Sequence, residues 1–132
     1  MILSPIKQTA YDYSVLYDLL EQRTPEQSIS HKAMPTWDDH CAFVRSQPYA
    51  AWYLIAVGNA TVGAIYLTHQ CEIGIAIFHL HKRKGYASAA VKELMRLHPG
   101  KFIANINPRN EASIRFFEGM GFRHVQNTYA LG

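Results

Sequence analysis

Hydrophobic residues in the first third of the chain recur at the spacing of two amphipathic helices. Thr9 is the predicted N-cap of the first helix, and the Thr24-Pro25 pair is its predicted end. A polar connection over residues 26–35 follows, and Thr36 is the predicted N-cap of the second helix. The apolar side chains expected to face the core from these helices are Tyr13, Leu16, Leu19, Leu20, Trp37, Cys41 and Val44.

The rest of the chain has the pattern of strands and two further helices. Residues 51–57 and 61–67 are rich in aromatic and β-branched side chains and flank Gly58-Asn59-Ala60, which predicts a hairpin. Further strands are predicted at residues 2–7, 72–78, 102–106 and 123–131, and helices at 85–97 and from Asn107 or Asn110 to Gly119 or Gly121. The order of these elements predicts an α/β (α+β) domain with a mostly antiparallel sheet.

Composition and charge exclude several classes of protein. The chain has 132 residues, of which 48% are hydrophobic and 17% charged, so a single folded domain over residues 1–132 is expected rather than disorder. A net charge of +3 is too small to indicate a nucleic-acid-binding protein. Two cysteines make no disulfide framework, no leader pattern opens the chain, and no apolar run approaches the ~18 residues of a membrane span, so a cytoplasmic protein is expected.

The most informative segment is a basic turn between a predicted strand and a predicted helix. Lys82, Arg83 and Lys84 stand directly before Gly85, where the helix begins. Free N–H groups and the macrodipole at a helix start favour negative charge, so the turn predicts a site for a phosphate or pyrophosphate. The alternative is a solvated loop with surface lysines. A P-loop does not fit, because it needs a glycine before a Gly-Lys-Ser/Thr triplet and none is present. A dinucleotide-binding fingerprint does not fit either, because the Gly-x-Gly that begins at Gly119 lies at a helix end.

Two blocks of sequence resemble the GNAT superfamily of N-acetyltransferases. The segment Lys82-Arg-Lys-Gly-Tyr-Ala87 is similar to its acetyl-CoA pyrophosphate motif, Gln/Arg-x-x-Gly-x-Gly/Ala, and residues 107–122 are similar to its C-terminal helix block. Both blocks stand in the family's order, and the order of elements also matches. The resemblance implies a GNAT-like mixed fold, with a mostly antiparallel central sheet of about six or seven strands flanked by about four helices.

The resemblance also implies an acyl-CoA-dependent N-acyltransferase, with acetyl-CoA as cosubstrate, no metal, and a small-molecule or peptide amine as acceptor. The pantetheine arm is expected in a split between the strand that ends at Phe78 and the strand at 102–106, and a backbone N–H near Ile77 is expected to stabilise the oxyanion. The residues implied in cosubstrate binding are Ile77, Phe78, His79, Lys82, Arg83, Lys84, Gly85, Tyr86, Ala87, Ser88, Asn110 and Ser113.

Three residues depart from the family pattern. Lys82 stands where the family has Gln or Arg, and it keeps the positive charge without the fork of a guanidinium. Arg83 replaces a frequent glycine. Phe117 takes the position of a tyrosine that is often credited as the general acid, so water, Tyr129, Tyr86 or no acid at all remain as alternatives.

Glu72 is the predicted general base, since an amine is mostly protonated at neutral pH and must lose a proton before it attacks. In an extended strand Glu72, Gly74 and Ala76 lie on one face, which suggests a groove with room for an extended ligand. The alternative is an ordinary charge at the start of a strand, with the gaps beside the small residues filled by neighbouring side chains.

The acceptor side is less defined. His31, Trp37 and Asn105 are the candidates for acceptor binding, although a polar loop and a core tryptophan explain the first two as well. His79 and His81 alternate at a strand end, but a third ligand at a metal-binding spacing is missing, so no zinc site is expected.

Two other functions remain as alternatives. A CoA- or anion-binding module without catalysis fits the same motifs, and Phe117 favours it. A nucleic-acid-binding protein that uses residues 82–84 ranks last, because no aromatic side chain beyond Tyr86 is interleaved with that patch. No membrane partner is expected, and a homodimer, frequent in the superfamily, is left open by the sequence.

Overall fold

The computed structural model of the protein describes residues 1–23 and 33–132. The strands are β1 (Ile2–Pro5), β2 (Ala51–Val57), β3 (Ala60–Leu67) and β4 (Ile73–Ile77). The helices are α1 (Ala10–Glu21), α2 (Trp37–Arg45), α3 (Tyr86–Leu97) and α4 (Glu111–Gly119), and a short 3-10 helix, His79–His81, follows β4. The predicted helix end at Thr24-Pro25 lies outside the described residues.

The four strands form an antiparallel sheet in the order β1-β2-β3-β4. The predicted hairpin is confirmed, since β2 and β3 pair across a turn at residues 58–59. β4 pairs with β3 in a register that places Gly74 opposite Tyr66 and Ile77 opposite Gly63. These two cross-strand pairs determine how closely the strands approach at the functional site.

Side-chain caps begin three of the four helices in the described residues, as the residues before them predict. Thr9, Thr36 and Asn110 each accept a hydrogen bond from the backbone N–H three residues later, at 3.1 to 3.2 Å. Each cap satisfies one of the N–H groups that a helix start leaves without a partner. The start of α3, at Gly85, has no such cap.

The core lies on both faces of the sheet. On one face α3 packs through Ala90, Val91 and Leu94, which are fully buried in a cluster with Ile55 and Ile65. On the other face α1 and α2 bury a second set of apolar side chains, namely Val15, Leu16, Leu19, Val44, Leu54 and Ala64. The sheet therefore separates two layers of helices, and side chains of β4 pack into the core on both of its faces.

Trp37 departs from the predicted buried stripe of α2. It is 41% exposed, whereas His40, one turn later, is buried and shares a hydrogen bond of 2.9 Å with the carbonyl of Tyr13. Trp37 is the first residue of α2, so its ring lies at the helix end, where it packs edge-on against Tyr17. The helical spacing identified the face correctly for Cys41 and Val44, which are buried.

The expectation of six or seven strands is wrong, because residues 1–23 and 33–132 contain four. The predicted strand at 102–106 is reduced to one parallel bridge between Glu72 and Ile103. The predicted strand at 123–131 is irregular, and its apolar side chains Val125 and Leu131 are exposed. Strand-forming residues become a strand only where a neighbour completes their backbone hydrogen bonds and buries their apolar face.

Candidate functional site

A gap opens beside β4 on the side away from β3. Ile73 N–H donates to the carbonyl of Ile103 at 2.8 Å, and Ile103 N–H donates to the carbonyl of Cys71 at 3.0 Å. Within the described residues the parallel pairing stops at this point, and residues 104–110 run irregularly to α4. Beyond this bridge no strand of the described residues pairs with this edge of β4, and the unpaired edge is called the gap below.

The end of β4 presents its backbone to this gap. Backbone groups of alternate residues point to the same side of a strand, so those of Ile75 and Ile77 point the same way as those of Ile73. The N–H of Phe78 points the other way, since it donates to the carbonyl of Val62 on β3 at 2.9 Å. An extended ligand in the gap therefore meets peptide donors and acceptors along β4.

The start of α3 combines backbone and charge features that favour a bound anion. Ala89 N–H donates to the carbonyl of Gly85 at 3.1 Å as the first bond of the helix, so the N–H groups of residues 86–88 lack acceptors within it. The three cations at residues 82–84 stand beside these groups, one half-buried and two exposed. Free N–H groups, the helix dipole and adjacent cations all favour a bound phosphate.

Two residues of the basic turn have left-handed backbone conformations. Arg83 has a φ of 63° and Gly85 a φ of 81°. A non-glycine residue costs roughly 1 kcal/mol in this region, which explains why the resembling motif often has a glycine at position 83. A Cβ built on Gly85 meets no atom within 4 Å, so the space at the helix start is open to a ligand.

Tyr66 fills the groove that the sequence suggested beside Glu72. Gly74 lies opposite Tyr66, and a Cβ built on Gly74 would overlap the tyrosine ring at the carbon that carries the hydroxyl. Ala76, the other small residue of this face, packs against the helix cluster of α1 and α2. At Gly74 a neighbouring side chain therefore fills the space beside the small residue, which is the alternative to an open groove.

Tyr66 belongs to an aromatic cluster, with Phe43, Tyr49 and Trp52. The rings of Tyr49 and Tyr66 stack with centroids 3.9 Å apart and planes within 4°, and Trp52 packs edge-on to Tyr49 at 4.7 Å. The sequence pattern did not identify Tyr66 as the residue that fills this groove. The signal that identifies Tyr66 is the glycine opposite it, which is visible only when the register of β3 and β4 is known.

Glu72 is half-buried at the start of β4. Its N–H donates to Thr68 Oγ1 at 3.0 Å, and its carbonyl accepts from Thr68 N–H at 2.9 Å. Burial raises the pKa of Tyr66 above its ordinary value, and the negative charge of Glu72 adds a smaller rise.

A comparison with known families decides what kind of domain carries this site. The family profile described as "Acetyltransferase (GNAT) domain" matches residues 1–123. The chain belongs to the GNAT acetyltransferase family. GNAT domains transfer acetyl groups and use acetyl-CoA as cosubstrate. No curated protein matches the chain closely enough in sequence to name an acceptor.

Solved structures share the fold of this GNAT domain at low sequence identity. An acetyltransferase from Thermus thermophilus has 19% identity and a TM-score of 0.76, with 96% of this chain and 88% of that chain covered. An N-acetyltransferase from Staphylococcus aureus has 17% identity and a TM-score of 0.75, with 95% and 84% covered. A mutant spermidine N-acetyltransferase from Vibrio cholerae has 14% identity and a TM-score of 0.72, with 95% and 80% covered.

The predicted cosubstrate residues of the GNAT domain occupy three places. Ile77, Phe78 and His79 end β4 and begin the 3-10 helix, and Lys82, Arg83, Lys84, Gly85, Tyr86, Ala87 and Ser88 form the basic turn and the first turn of α3. Asn110 and Ser113 begin α4, where the Asn110 side-chain oxygen accepts from the Ser113 N–H at 3.1 Å. Asn110 thus uses its oxygen as a helix cap, and its amide nitrogen is the group that remains for a ligand.

The remaining predicted residues of the GNAT domain are more dispersed. Asn105 is exposed in the irregular segment after Ile103, and His31 lies outside the described residues. Tyr129 is 90% exposed in the irregular C-terminal segment. Phe117 is buried in the core between the rings of Phe116 and Phe122, so this position supplies packing and no proton.

The metal-ligating side chains of residues 1–23 and 33–132 do not gather into a metal site. No group of three or more His, Cys, Asp and Glu side chains in these ranges stands close enough to hold an ion. His79 and His81, the pair considered for zinc, both belong to the 3-10 helix. No helix in the same residues is long and apolar enough to cross a membrane.

Alkaline titration is expected to show two late-ionising tyrosines among the eight of the chain. Burial raises the folded-state pKa values of Tyr49 and Tyr66. Their contribution to stability is therefore complete below the ordinary tyrosine pKa of about 10 and is lost as the pH rises through the folded-state values.

Tyrosinate absorbance measures the ionisation. The double change Tyr49→Phe and Tyr66→Phe should remove the late phase, whereas Tyr129→Phe should leave it, and ionisation of all tyrosines in one early step would contradict the assignment.

Proposed function

We propose that the protein is an N-acetyltransferase that moves the acetyl group of acetyl-CoA to a primary amine by direct attack. The observation that carries the proposal is the uncapped start of α3 beside three cations, at the end of a strand whose edge faces a gap. The uncapped helix start with its cations suits a diphosphate, and the unpaired strand edge suits an arm that contains amides. CoA combines both groups in one ligand.

The cosubstrate would be held at two points. The N–H groups of residues 83–87, with the charges of Lys82 and Lys84, would bind the pyrophosphate. The backbone of Ile75 and Ile77 would pair with the amides of the pantetheine arm in the gap beside β4. Asn110, through its amide nitrogen, would contact the cosubstrate from α4.

Glu72 would act as the general base. Its carboxylate would take the proton that the amine nitrogen loses as it bonds to the acetyl carbonyl carbon, through ordered water, because Glu72 lies at the start of β4 and Ile77 at its end. The Ile77 N–H, which points to the gap, would stabilise the oxyanion. The C–S bond then breaks and CoA leaves as a thiolate. Phe117 has no proton to give, so water, Tyr86 or Tyr129 would protonate the thiolate.

Acetyl-CoA binding, measured by calorimetry, tests the proposal together with the role of the basic turn. The triple change of Lys82, Arg83 and Lys84 to alanine should weaken acetyl-CoA binding by about 100-fold or more, because each cation contributes on the order of 1 kcal/mol to a bound phosphate. Binding of pantetheine, which lacks the diphosphate, should change little.

A matched control removes three cations elsewhere, at Lys7, Arg45 and Lys101, which are exposed on other parts of the fold. Its acetyl-CoA affinity should stay within about threefold of the wild type, since charges beyond a Debye length of about 10 Å are screened. No binding of acetyl-CoA by the wild type at high micromolar concentration would count against the whole proposal. Equal losses for acetyl-CoA and pantetheine would remove the pyrophosphate role.

The alternative function is a CoA-binding module without catalysis, and the buried Phe117 in place of a tyrosine favours it. A thioester-cleavage assay with a panel of primary amines separates the two functions. Polyamines belong in the panel, since one structural neighbour is a spermidine N-acetyltransferase. Release of CoA above the amine-free background supports the transferase, and binding without release supports the module.

A further inference from the structure

The side chain of Gln22 reaches from the end of α1 to the end of β4. Its Nε2 donates to the carbonyl of Ile77 at 2.8 Å, and its Oε1 accepts from the N–H of His79 at 3.2 Å. Gln22 is half-buried, and the two contacts span 55 and 57 residues of sequence. A single glutamine amide thus makes a donor and an acceptor contact with the same short stretch of strand backbone.

These two backbone groups are the pair that a parallel strand would use. In a parallel ladder, one residue of the neighbouring strand donates to the carbonyl of one residue and accepts from the N–H two residues later. Ile77 and His79 have this relation, and the Ile77 carbonyl points to the gap left where pairing with Ile103 stops. Gln22 therefore occupies, with its side-chain amide, the position of one residue of a missing strand.

We propose that Gln22 is a built-in competitor of the cosubstrate. On binding, the two secondary amides of the acyl-CoA arm take the carbonyl of Ile77 and the N–H of His79 between them, and the Gln22 side chain moves away. The inference rests on the proposed function, because it needs an amide-bearing arm in the gap. The exchange balances, since the arm offers one N–H and one carbonyl oxygen to the strand, the same groups that Gln22 gives up.

Removing this side chain should strengthen binding rather than weaken it. In the wild type the cosubstrate gains two hydrogen bonds and breaks two, so the exchange is nearly neutral. With Gln22→Ala the same backbone groups face water, and the cosubstrate displaces water alone. Acetyl-CoA should then bind about three- to tenfold more tightly, since each net hydrogen bond is modest. If Gln22 instead held the arm by direct contact, its removal would weaken acetyl-CoA binding.

The helix itself should tolerate the change. The C-terminal cap of α1 uses the backbone N–H of Gln22, which donates to the carbonyl of Asp18 at 3.3 Å, and a side-chain substitution keeps that contact. Gln22→Asn provides a second variant, because its shorter amide cannot bridge both backbone groups but remains polar. Both variants should bind more tightly than the wild type.

Gln8→Ala is the matched control. Gln8 is also a bridging glutamine, whose amide donates to the Val44 carbonyl at 3.3 Å and accepts from the Tyr13 hydroxyl at 2.6 Å, at the other end of α1. Its loss should leave acetyl-CoA affinity within about twofold, because neither contact involves β4.

Calorimetry with acetyl-CoA and NMR of the Gln22 side-chain amide test the inference on the full chain. The two side-chain NH₂ resonances of Gln22 should shift on saturation, and those of Gln8 should not. Unchanged or weaker binding by Gln22→Ala, or Gln22 resonances that do not move, would overturn the competitor while leaving the proposed function intact. A wild type that does not bind acetyl-CoA at all would overturn both.

Discussion

Gly63→Ala is expected to lower the free energy of unfolding by about 3 kcal/mol, the largest stability loss from a single added methyl group that the fold predicts. A Cβ built on Gly63 would overlap the backbone carbonyl oxygen of Ala76 and lie 3.0 Å from the Cα of Ile77. Backbone atoms cannot rotate away as a flexible side chain does, so β3 and β4 must separate. In a domain of this size the melting temperature should fall by about 10 °C.

The same separation would damage the functional site. Ile77 lies opposite Gly63 and presents the backbone groups that the cosubstrate is proposed to use. Acetyl-CoA affinity should therefore fall together with stability. Thermal denaturation and calorimetry of the same sample measure the two effects.

Gly119→Ala is the matched control for this prediction. Gly119 is the last residue of α4, and a Cβ built there meets no atom within 4 Å. Alanine at a helical position should be neutral or stabilise the fold by up to about 1 kcal/mol. A Gly63→Ala variant as stable as Gly119→Ala would show that the two strands are not in the close contact described above.

Glu72→Gln is expected to give the largest change in turnover, a loss of about 100- to 10,000-fold in kcat. Glutamine keeps the size of the side chain but cannot accept a proton, so the amine must lose its proton to water before attack. Acetyl-CoA affinity should stay within about twofold, because the anion site at α3 and the edge of β4 are unchanged. Steady-state kinetics with the best amine of the panel and calorimetry with acetyl-CoA give the two values.

Glu93→Gln is the corresponding control. Glu93 is a carboxylate of α3 that pairs with Arg96 on the same helix, and nothing places it near the gap. Its removal should leave kcat unchanged. If Glu72→Gln retained kcat within about threefold of the Glu93→Gln control, Glu72 would not be the general base. Loss of the amine proton to water would then be the simplest replacement.

The sequence correctly predicted the parts of the fold that depend on residues close together along the chain. The hairpin of β2 and β3 and the cap at Thr9 follow from residues within a few positions of each other, and both are confirmed. The segment at 102–106 shows the limit of this reasoning. It has strand-forming residues, but whether it pairs depends on β4, which is distant along the chain, and the pairing ends after Ile103.

The chemistry of the proposed anion site is encoded in consecutive residues. Three cations, a glycine that accepts a positive φ and a helix that begins there stand side by side in the sequence, and local backbone physics assembles them. Two other features required tertiary packing. It placed Tyr66 on Gly74, which closed the expected groove, and it brought Gln22 to the edge of β4 across more than fifty residues. Both depend on register and packing between distant segments, and no local pattern of hydrophobic and polar residues encodes such contacts.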